Sequence, residues 1–585
     1  MHSVLGILTA LALLAVPKDK LDTPVLAGSR IVEVNVSRGK VFAPGQRNPR
    51  PVVLTFRHQD GCLVLEPEHA RGPGHRHALH PVRFPILEET DDAFVIDLEP
   101  WFSTYPEALS AIPPKMLGGR AQAGEILSTA GTDRYLQVTG RYRYASGLEV
   151  TAACYFLYLR ENALPERDVD SRTVGYTRVE HRKMGNCRDV PYLRWDLSGG
   201  RTIDFFVDKD FPAGWYPFIK EGIEDWNRAF RAIGLGDVLS VHPEPEGLDR
   251  SSPLVNMVRY LDVEESNAKG DVLFDPRSGE ILQGDILWWK NVGNLLRDWR
   301  YVQTGAADPL ARLHDYPLEV MGPLIRHAVC HETGHVLGLS HNMGASWAYP
   351  ADSLRSPSFT RDYGTAASVM DYARYNHLAT AADLEAGVSL LPPRLGPYDY
   401  YAIACGYGSG PAPAPGPYGY YAPFISAAIS PDPSSQPESL GNDLLRSSGA
   451  GLRNCRALLE LDGLDEARTK LLQRAYYRYV SLTLSNIGGA IDGVPVDEKT
   501  RNRTLQFVFE ALDGVPPLLR DGREEQRILN ELVGNFLPDR ILCTCGKRSL
   551  KRYERELRRY ARKHPRLPLK DDAEWTINNQ SYLYD

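Results

Sequence analysis

Residues 331–341 read His-Glu-Thr-Gly-His-Val-Leu-Gly-Leu-Ser-His, and this stretch decides the fold around it. A helical pattern runs into it, so His331 and His335, four residues apart, project from one helix face about one turn apart. We expect the helix to end at Gly338, because a left-handed C-terminal turn tolerates glycine best. The chain can then turn back and bring His341 beside the first two imidazoles.

This spacing predicts a site for one catalytic Zn²⁺. Three neutral histidines leave the fourth position of a tetrahedral zinc open for water, which is typical of catalytic rather than structural sites. Glu332 lies between the first two histidines and is predicted to be the general base that takes a proton from that water. A chance His-Glu-x-x-His sequence in a core helix is the alternative, but Gly338 and His341 also stand at the required offsets.

Length and composition favour a globular protein of several domains. The chain has 585 residues, 43% hydrophobic and 24% charged, and a net charge of -7. Nothing in this balance predicts nucleic acid as a partner. The basic segment 547–566 is interpreted as the solvated face of a docked helix, with contact to nucleic acid or an anionic membrane as the alternative. The eight cysteines are too sparse for a disulfide scaffold, and their pairing and the oligomeric state stay open.

The N-terminal residues carry the prediction of where in or outside the cell the protein is located. Residues 4–16 are almost continuously apolar and resemble a signal-peptide core, although the run has no preceding Lys or Arg. We predict export to the periplasm or the extracellular space, with the start of a folded domain as the alternative. No other stretch is long and apolar enough to cross a membrane, so no transmembrane anchor is expected.

The pattern along the chain predicts an α+β protein: a mixed sheet and an active-site helix, preceded by a β-rich domain and followed by a helical region. Alternating strand-like runs fill the N-terminal part, and strand and helix periods mix after residue 195. The predicted divisions are an apolar segment at 1–24, a β-rich domain at 25–195, the zinc domain at 196–400, a Gly/Pro-rich surface loop or linker at 401–440 and a helical region at 441–585.

The extended histidine motif resembles that of the metzincin metallopeptidases. This resemblance implies a methionine-containing turn beneath the metal, and residues 368–372, Ser-Val-Met-Asp-Tyr, match it. Met370 would be the supporting floor, with ordinary core packing as the alternative. Tyr372 would be a fifth ligand or a catalytic partner of the oxyanion, with a buried, hydrogen-bonded phenol as the alternative.

A narrower resemblance covers most of residues 25–540. The chain is similar to the bacterial zinc-dependent metalloproteases whose catalytic region is called the Met-zincin domain, which carry an additional N-terminal domain and are typically exported. Five stretches carry the similarity besides the motif itself: 174–176, 193–195, 218–230, 275–281 and 395–399.

Several further features are weighed against plainer alternatives. His327 shares a helix face with His331, and we expect it to pack or to support the site rather than to bind zinc. Cys187 could cap zinc as a latency switch, with an ordinary loop cysteine favoured. The histidines at 69, 75, 77 and 80 are interpreted as a solvated loop. Residues 285–289 are predicted to be the edge strand above the site, open to an added substrate strand, with an ordinary sheet strand that packs through its aromatic side chains as the alternative.

The leading prediction is therefore an exported zinc metalloendopeptidase acting on proteins or peptides. A non-catalytic, zinc-containing surface or binding protein is the alternative from another class, and hydrolysis of a non-peptide amide is a third. The intact Glu332 argues against the non-catalytic alternative, because a structural zinc site needs no general base.

Overall fold

The computed structural model describes most of the chain from residue 191 onwards and separate segments before it. The described residues are 191–566 with gaps at 251, 263, 265, 276, 412, 420, 423–429, 462–463, 492 and 535–537, together with 13–17, 30–36, 53–67, 82–89, 93–97, 121–131, 135–144, 147, 149–158, 164–165, 167 and 169–179. Cys187 and the histidines between 69 and 80 lie outside these residues, so the predictions made for them stay predictions.

An antiparallel sheet is formed by the strands of the N-terminal region. These strands are β1 (Leu13–Pro17), β2 (Arg30–Val36), β3 (Val53–Gln59), β4 (Cys62–Pro67), β5 (Val82–Glu89), β6 (Ala93–Asp97), β7 (Ala121–Gly131), β8 (Tyr135–Tyr144) and β9 (Glu149–Tyr158). They follow one another in the sheet as β1-β6-β5-β4-β3-β2-β9-β8-β7. Strand β1 contains the end of the apolar N-terminal run, and it pairs with β6.

A second, mixed sheet positions the zinc motif. Its strands are β10 (Arg194–Trp195), β11 (Ile203–Val207), β12 (Leu239–Pro243), β13 (Asn256–Leu261), β14 (Ala268–Phe274) and β15 (Glu280–Trp289). The order is β10-β15-β13-β11-β12 with parallel pairing, and β14 adds to β15 in the antiparallel sense. The mixed sheet and its helices confirm the predicted α+β class.

Helices cover this sheet, and one of them carries the motif. They are α1 (Tyr216–Glu224), α2 (Asn227–Ala232), α3 (Val292–Thr304), α4 (Leu318–Val336), α5 (Pro357–Tyr363), α6 (Ala381–Glu385) and α7 (Pro397–Tyr407). Helix α4 is the predicted active-site helix. Its apolar side chains are buried in the main core, together with residues of the sheet and of α1. This packing fixes the helix that supplies the first two histidines.

The C-terminal region is helical, as the sequence predicts. Its elements are α8 (Leu444–Leu459), α9 (Glu466–Leu482), α10 (Ser485–Gly488), β16 (Ala490–Ile491), β17 (Val494–Pro495), α11 (Glu498–Asp513), α12 (Gly522–Gly534) and α13 (Pro538–Lys563). In α13, Tyr553, Leu557 and Tyr560 are buried in a second core. The stripe of apolar residues in the basic segment therefore packs inward.

The predicted loop or linker at 401–440 differs in two ways from the observed chain. Helix α7 continues to Tyr407, and Ser430, Gln436, Ser439 and Leu440 are buried rather than exposed. The reason is local hydrogen bonding: Gln436 donates to the carbonyl of Ser430 at 2.7 Å and accepts from its N–H at 3.1 Å, which satisfies this backbone away from water.

The predicted boundary at residue 195 also crosses a packed region. Val174, Tyr176 and Tyr192 lie in the same core as α4, and Tyr176 bridges to Leu339 just after the helix. The residues before the boundary thus support the zinc motif directly. Among the described residues, no helix combines the length and apolarity that crossing a membrane requires.

Candidate zinc site

The three histidines of the motif converge. Helix α4 ends at Val336, and Gly338 adopts a φ of 92°, which favours glycine over other residues. The chain then reverses, and the ring centroid of His341 lies 5.2 Å from that of His331 and 4.6 Å from that of His335. One ligand nitrogen from each ring lies within 4.8 Å of the others. The structure thus brings together the residues that the sequence predicts as metal ligands.

Backbone carbonyls orient two of the imidazoles. The Nδ1 of His331 lies 2.8 Å from the oxygen of Val369, and the Nδ1 of His335 lies 2.8 Å from the oxygen of Leu339. A carbonyl only accepts, so each Nδ1 carries the proton and donates. The Nε2 of each neutral ring is left with a free lone pair.

These free nitrogens fit a zinc ion. The Nε2 of His331 is buried and has no hydrogen-bond partner, which is costly unless something binds it. The Nε2 atoms of His335 and His341 lie 3.1 Å apart, close to the roughly 3.3 Å expected for two ligands about 2.0–2.1 Å from one tetrahedral zinc. The donor set and its spacing therefore match the predicted metal.

Burial keeps these histidines neutral, as metal ligands must be. It lowers the pKa of His331 well below its usual value, and the neighbouring His335 and His341 lower it further. Burial also lowers the pKa of His335, and it lowers that of His341, with the help of His335 and Arg374, to about 3. At neutral pH all three rings are free of the proton that would compete with a metal.

Glu332 faces the same region and is held by a strand. Its Oε2 accepts a hydrogen bond of 2.7 Å from the backbone N–H of Gly270 in β14. Burial raises the pKa of Glu332 to about 7, while that N–H and the charges of Arg374 and Lys269 act in the opposite direction. A carboxylate with this pKa can both accept and return a proton near neutral pH.

Strand β14, rather than residues 285–289, lies beside the site. Residues 285–289 belong to β15, which pairs with β13 on one side and with β14 on the other, so the prediction that they form an edge is wrong. Among the described strands, β14 pairs with β15 alone. A Cβ added at Gly270 would lie 2.4 Å from the backbone carbonyl oxygen of Glu332 and 2.8 Å from the His335 Cβ, so glycine permits the close approach of β14 to α4.

The predicted methionine turn lies under the helix. Met370 is fully buried, and a Cβ added at Gly334 of α4 would lie 2.2 Å from its sulfur. The two residues before Met370 are also fixed, because Asp399 accepts from the N–H of Val369 at 2.9 Å and from the Ser368 hydroxyl at 2.6 Å. The carbonyl of that same residue, Val369, orients His331. Sequence reasoning assigned Asp399 no role.

Tyr372 lies next to the histidines. Its ring centroid is 4.5 Å from that of His341 and 5.4 Å from that of His331. Burial raises its pKa, so the hydroxyl keeps its proton at neutral pH.

His327 is not part of the cluster. Its Nδ1 donates to the carbonyl of Pro393 at 2.7 Å, and its ring centroid lies 6.5 Å from that of His331. Burial lowers its pKa to about 4. These contacts agree with the packing or supporting role expected from the sequence.

The sequence did not predict a role for two residues at the site, although a local pattern around each one indicates its structural role. Gly270 interrupts a strand, which indicates close approach of another backbone. Asp399 stands two residues after Pro397, the first residue of α7, and its carboxylate also accepts from the N–H of Gly396 at 2.8 Å. A proline followed by an acidic residue at the third helical position indicates such a helix start.

Comparison with known proteins agrees with this geometry. Residues 314–416, which contain α4, the three histidines and the methionine turn, match the family model described as Met-zincin. Neither the curated proteins nor the solved structures gave a significant match.

Proposed function

Since residues 314–416 form a metzincin-like domain, we propose that this protein is a zinc metalloendopeptidase that hydrolyses peptide bonds in proteins or peptides. His331, His335 and His341 would hold one Zn²⁺, and Glu332 would be the general base. The observation that carries the proposal is the convergence of three neutral imidazoles, two of them oriented by backbone carbonyls, next to a carboxylate whose pKa is raised to about 7.

The bound zinc would supply a Lewis acid that polarises the substrate carbonyl and lowers the pKa of water at the open position. Glu332 would take the proton of the attacking water. Its Oε2 is fixed by Gly270, so Oε1 is the oxygen available for that proton. Glu332 would then return the proton to the leaving amine, and its pKa of about 7 suits both directions of transfer.

Tyr372 would support the same reaction as a hydrogen-bond donor. Its hydroxyl remains protonated at neutral pH because burial raises its pKa, and its ring contacts that of His341 at 4.5 Å. A protonated hydroxyl there can donate to the oxyanion that develops during attack on the carbonyl. Met370 would support the site by packing beneath helix α4.

The substrate would bind as an extended strand along β14. This strand pairs only with β15 among the described strands and approaches both Glu332 and His335 at Gly270. Addition of a peptide to such an edge supplies main-chain hydrogen bonds that do not depend on sequence. This replaces the role predicted for residues 285–289.

Export to the periplasm or the extracellular space is also part of the proposal. It is supported by the apolar run at residues 4–16. Fractionation of the native host would test it, with recovery of the full-length protein in the cytoplasm as the contradicting result.

A peptide-library digestion tests the activity. Purified protein is incubated with a proteome-derived peptide library, and new termini are identified by mass spectrometry for wild type and Glu332→Ala. We expect cleavage by wild type alone. Equal cleavage by both proteins would contradict the proposal, and hydrolysis of acylated amines without peptide cleavage would favour the non-peptide alternative.

A further inference from the structure

Arg374 brings a positive charge to the edge of the histidine cluster. Its Cζ lies 4.5 Å from the ring centroid of Tyr372, whose own ring lies 4.5 Å from that of His341. Its positive charge lowers the pKa of Glu332 and of Tyr372, which opposes the effect of burial on both groups. The guanidinium is therefore close enough to influence whatever occupies the site.

This guanidinium has no counter-ion among the described residues. By contrast, the buried Arg259 and Arg300 pair with carboxylates at 2.5 Å and 2.8 Å. Arg374 instead contacts the rings of Tyr372 and Trp299, and its Nε is buried without a hydrogen-bond partner. A partly buried charge that lacks a carboxylate costs free energy, which a bound anion would recover.

The acidic side chains near Arg374 and Tyr372 have other hydrogen-bond or ion-pair partners. Asp371 accepts from the N–H of Ser346 at 2.6 Å through Oδ2, and although its Oδ1 is buried without a hydrogen-bond partner, burial raises the pKa of this carboxyl well above its usual value. Glu332 accepts from Gly270. Glu438, whose charge also acts on Tyr372, pairs with Arg478 at 3.2 Å. None of these carboxylates is within ion-pair distance of Arg374 in the described part of the chain.

The backbone at Arg374 is itself unusual. Its φ of 62° lies in the left-handed region, which glycine and asparagine occupy at lower cost than arginine. Such strain persists where the surrounding structure imposes it, and it concentrates at functional sites. An arginine held in this conformation beside the zinc ligands indicates that its side chain is used.

We propose that Arg374 forms a carboxylate-binding subsite that recognises an acidic group of the peptide substrate next to the cleaved bond. Arginine suits this ligand because its planar fork donates two parallel hydrogen bonds to a carboxylate. An extended peptide advances about 3.3–3.6 Å per residue, so the carboxylate belongs to a residue within about three positions of the cleaved bond. It is either an Asp or Glu side chain or the free C-terminus, and the inference rests on the proposed peptidase function.

Binding to an inactive background tests the subsite apart from catalysis. Fluorescent octapeptide pools carry Glu or Gln at one fixed position with amidated ends, and a second pair carries a free or an amidated C-terminus with neutral side chains. Their affinities for zinc-loaded Glu332→Ala protein are measured by anisotropy, with and without Arg374→Gln. We expect one acidic pool to bind about 10- to 100-fold more tightly than its neutral partner, and Arg374→Gln to remove the difference.

Two further variants sharpen the result. Arg374→Lys keeps the charge and should retain part of the preference, which also covers the case in which Arg374→Gln does not fold. Arg361→Gln removes a cation whose side chain is 69% exposed in α5, and it should leave the preference unchanged. Equal binding of acidic and neutral pools, or binding of neither, would overturn the subsite.

Cleavage of the same peptides separates this inference from the proposed function. With wild-type Glu332, we expect Arg374→Gln to lower kcat/KM at least about 10-fold more for the acidic peptide than for the neutral peptide, whose own kcat/KM changes through the contact of Arg374 with Tyr372. An equal loss for both would mean that Arg374 only positions Tyr372, and would overturn the subsite. An Arg374-dependent preference in binding without any cleavage would support the subsite and refute the peptidase function.

Discussion

Replacing Asp399 should loosen the zinc site without touching a ligand. Its carboxylate accepts from the Ser368 hydroxyl at 2.6 Å through Oδ1, and from the N–H groups of Val369 and Gly396 at 2.9 and 2.8 Å through Oδ2. The carbonyl of Val369 in turn accepts from Nδ1 of His331. Asp399 therefore holds the residue, Val369, whose carbonyl orients a metal ligand.

The magnitude depends on which substitution is made. Asp399→Ala leaves two buried N–H donors unpaired, at about 1–3 kcal/mol each, so we expect a loss of about 2–6 kcal/mol in the free energy of unfolding. Asp399→Asn can place its amide oxygen where Oδ2 was and donate its NH₂ to the oxygen of Ser368, so its cost should be about 1 kcal/mol. We expect zinc affinity to fall about 10-fold for the alanine variant, the lower end for groups that support a metal ligand.

Two assays on the same preparations check this reasoning. Denaturant unfolding gives the stability, and competition with a chromophoric chelator gives the zinc affinity of wild type, Asp399→Ala and Asp399→Asn. The reasoning fails if the alanine variant is folded and binds zinc as tightly as wild type. It also fails if the asparagine variant loses as much affinity as the alanine variant.

Three other predictions follow from the site and its surroundings. Gly270→Ala should lower kcat/KM at least about 10-fold, because its Cβ would lie 2.4 Å from the backbone carbonyl oxygen of Glu332 and would push β14 away from α4. Gly293→Ala, whose nearest contact is at 3.7 Å, should have little effect, and equal activities of the two variants would contradict the close approach of β14. Chelation should abolish cleavage and lower the Tm, and zinc at 100 times its Kd should restore about 2.7 kcal/mol; an unchanged Tm would contradict the metal site. Burial lowers the pKa of His377 to about 4, so the unfolded chain takes up the proton of this histidine first, and folding stability is lost as pH falls from 6.5 towards 4. In urea titrations across that range, the difference in unfolding free energy between wild type and His377→Gln should shrink by up to about 3 kcal/mol. A difference that stays constant with pH would refute this prediction.

The sequence predicted those parts of the site that depend on local spacing. The positions of His331 and His335 follow from the helical period, and the end of the helix follows from Gly338, whose φ is 92°. The methionine turn at Met370 came from family resemblance, and its burial against α4 agrees with it. These features need only the chain near them, which is why a single sequence could indicate them.

The sequence did not predict contacts between distant segments. Residues 285–289 read as an edge strand, but whether a strand is at an edge depends on its neighbours, and β14 pairs with β15 on the side facing the site. The support that Asp399 gives to Val369 joins residues 30 positions apart. Arg374 belongs to no recognisable motif, and only its surroundings in the fold show that no described carboxylate pairs with it.

The most direct test of the zinc-peptidase assignment measures zinc content and kcat/KM in the same samples of three proteins. These are wild type, Glu332→Gln and the control Glu385→Gln, which changes an exposed carboxylate in α6. We predict one zinc per chain in all three, with kcat/KM reduced about 100- to 10,000-fold only in Glu332→Gln. Wild-type protein that binds no zinc, or Glu332→Gln protein that cleaves as fast as wild type, would contradict the account.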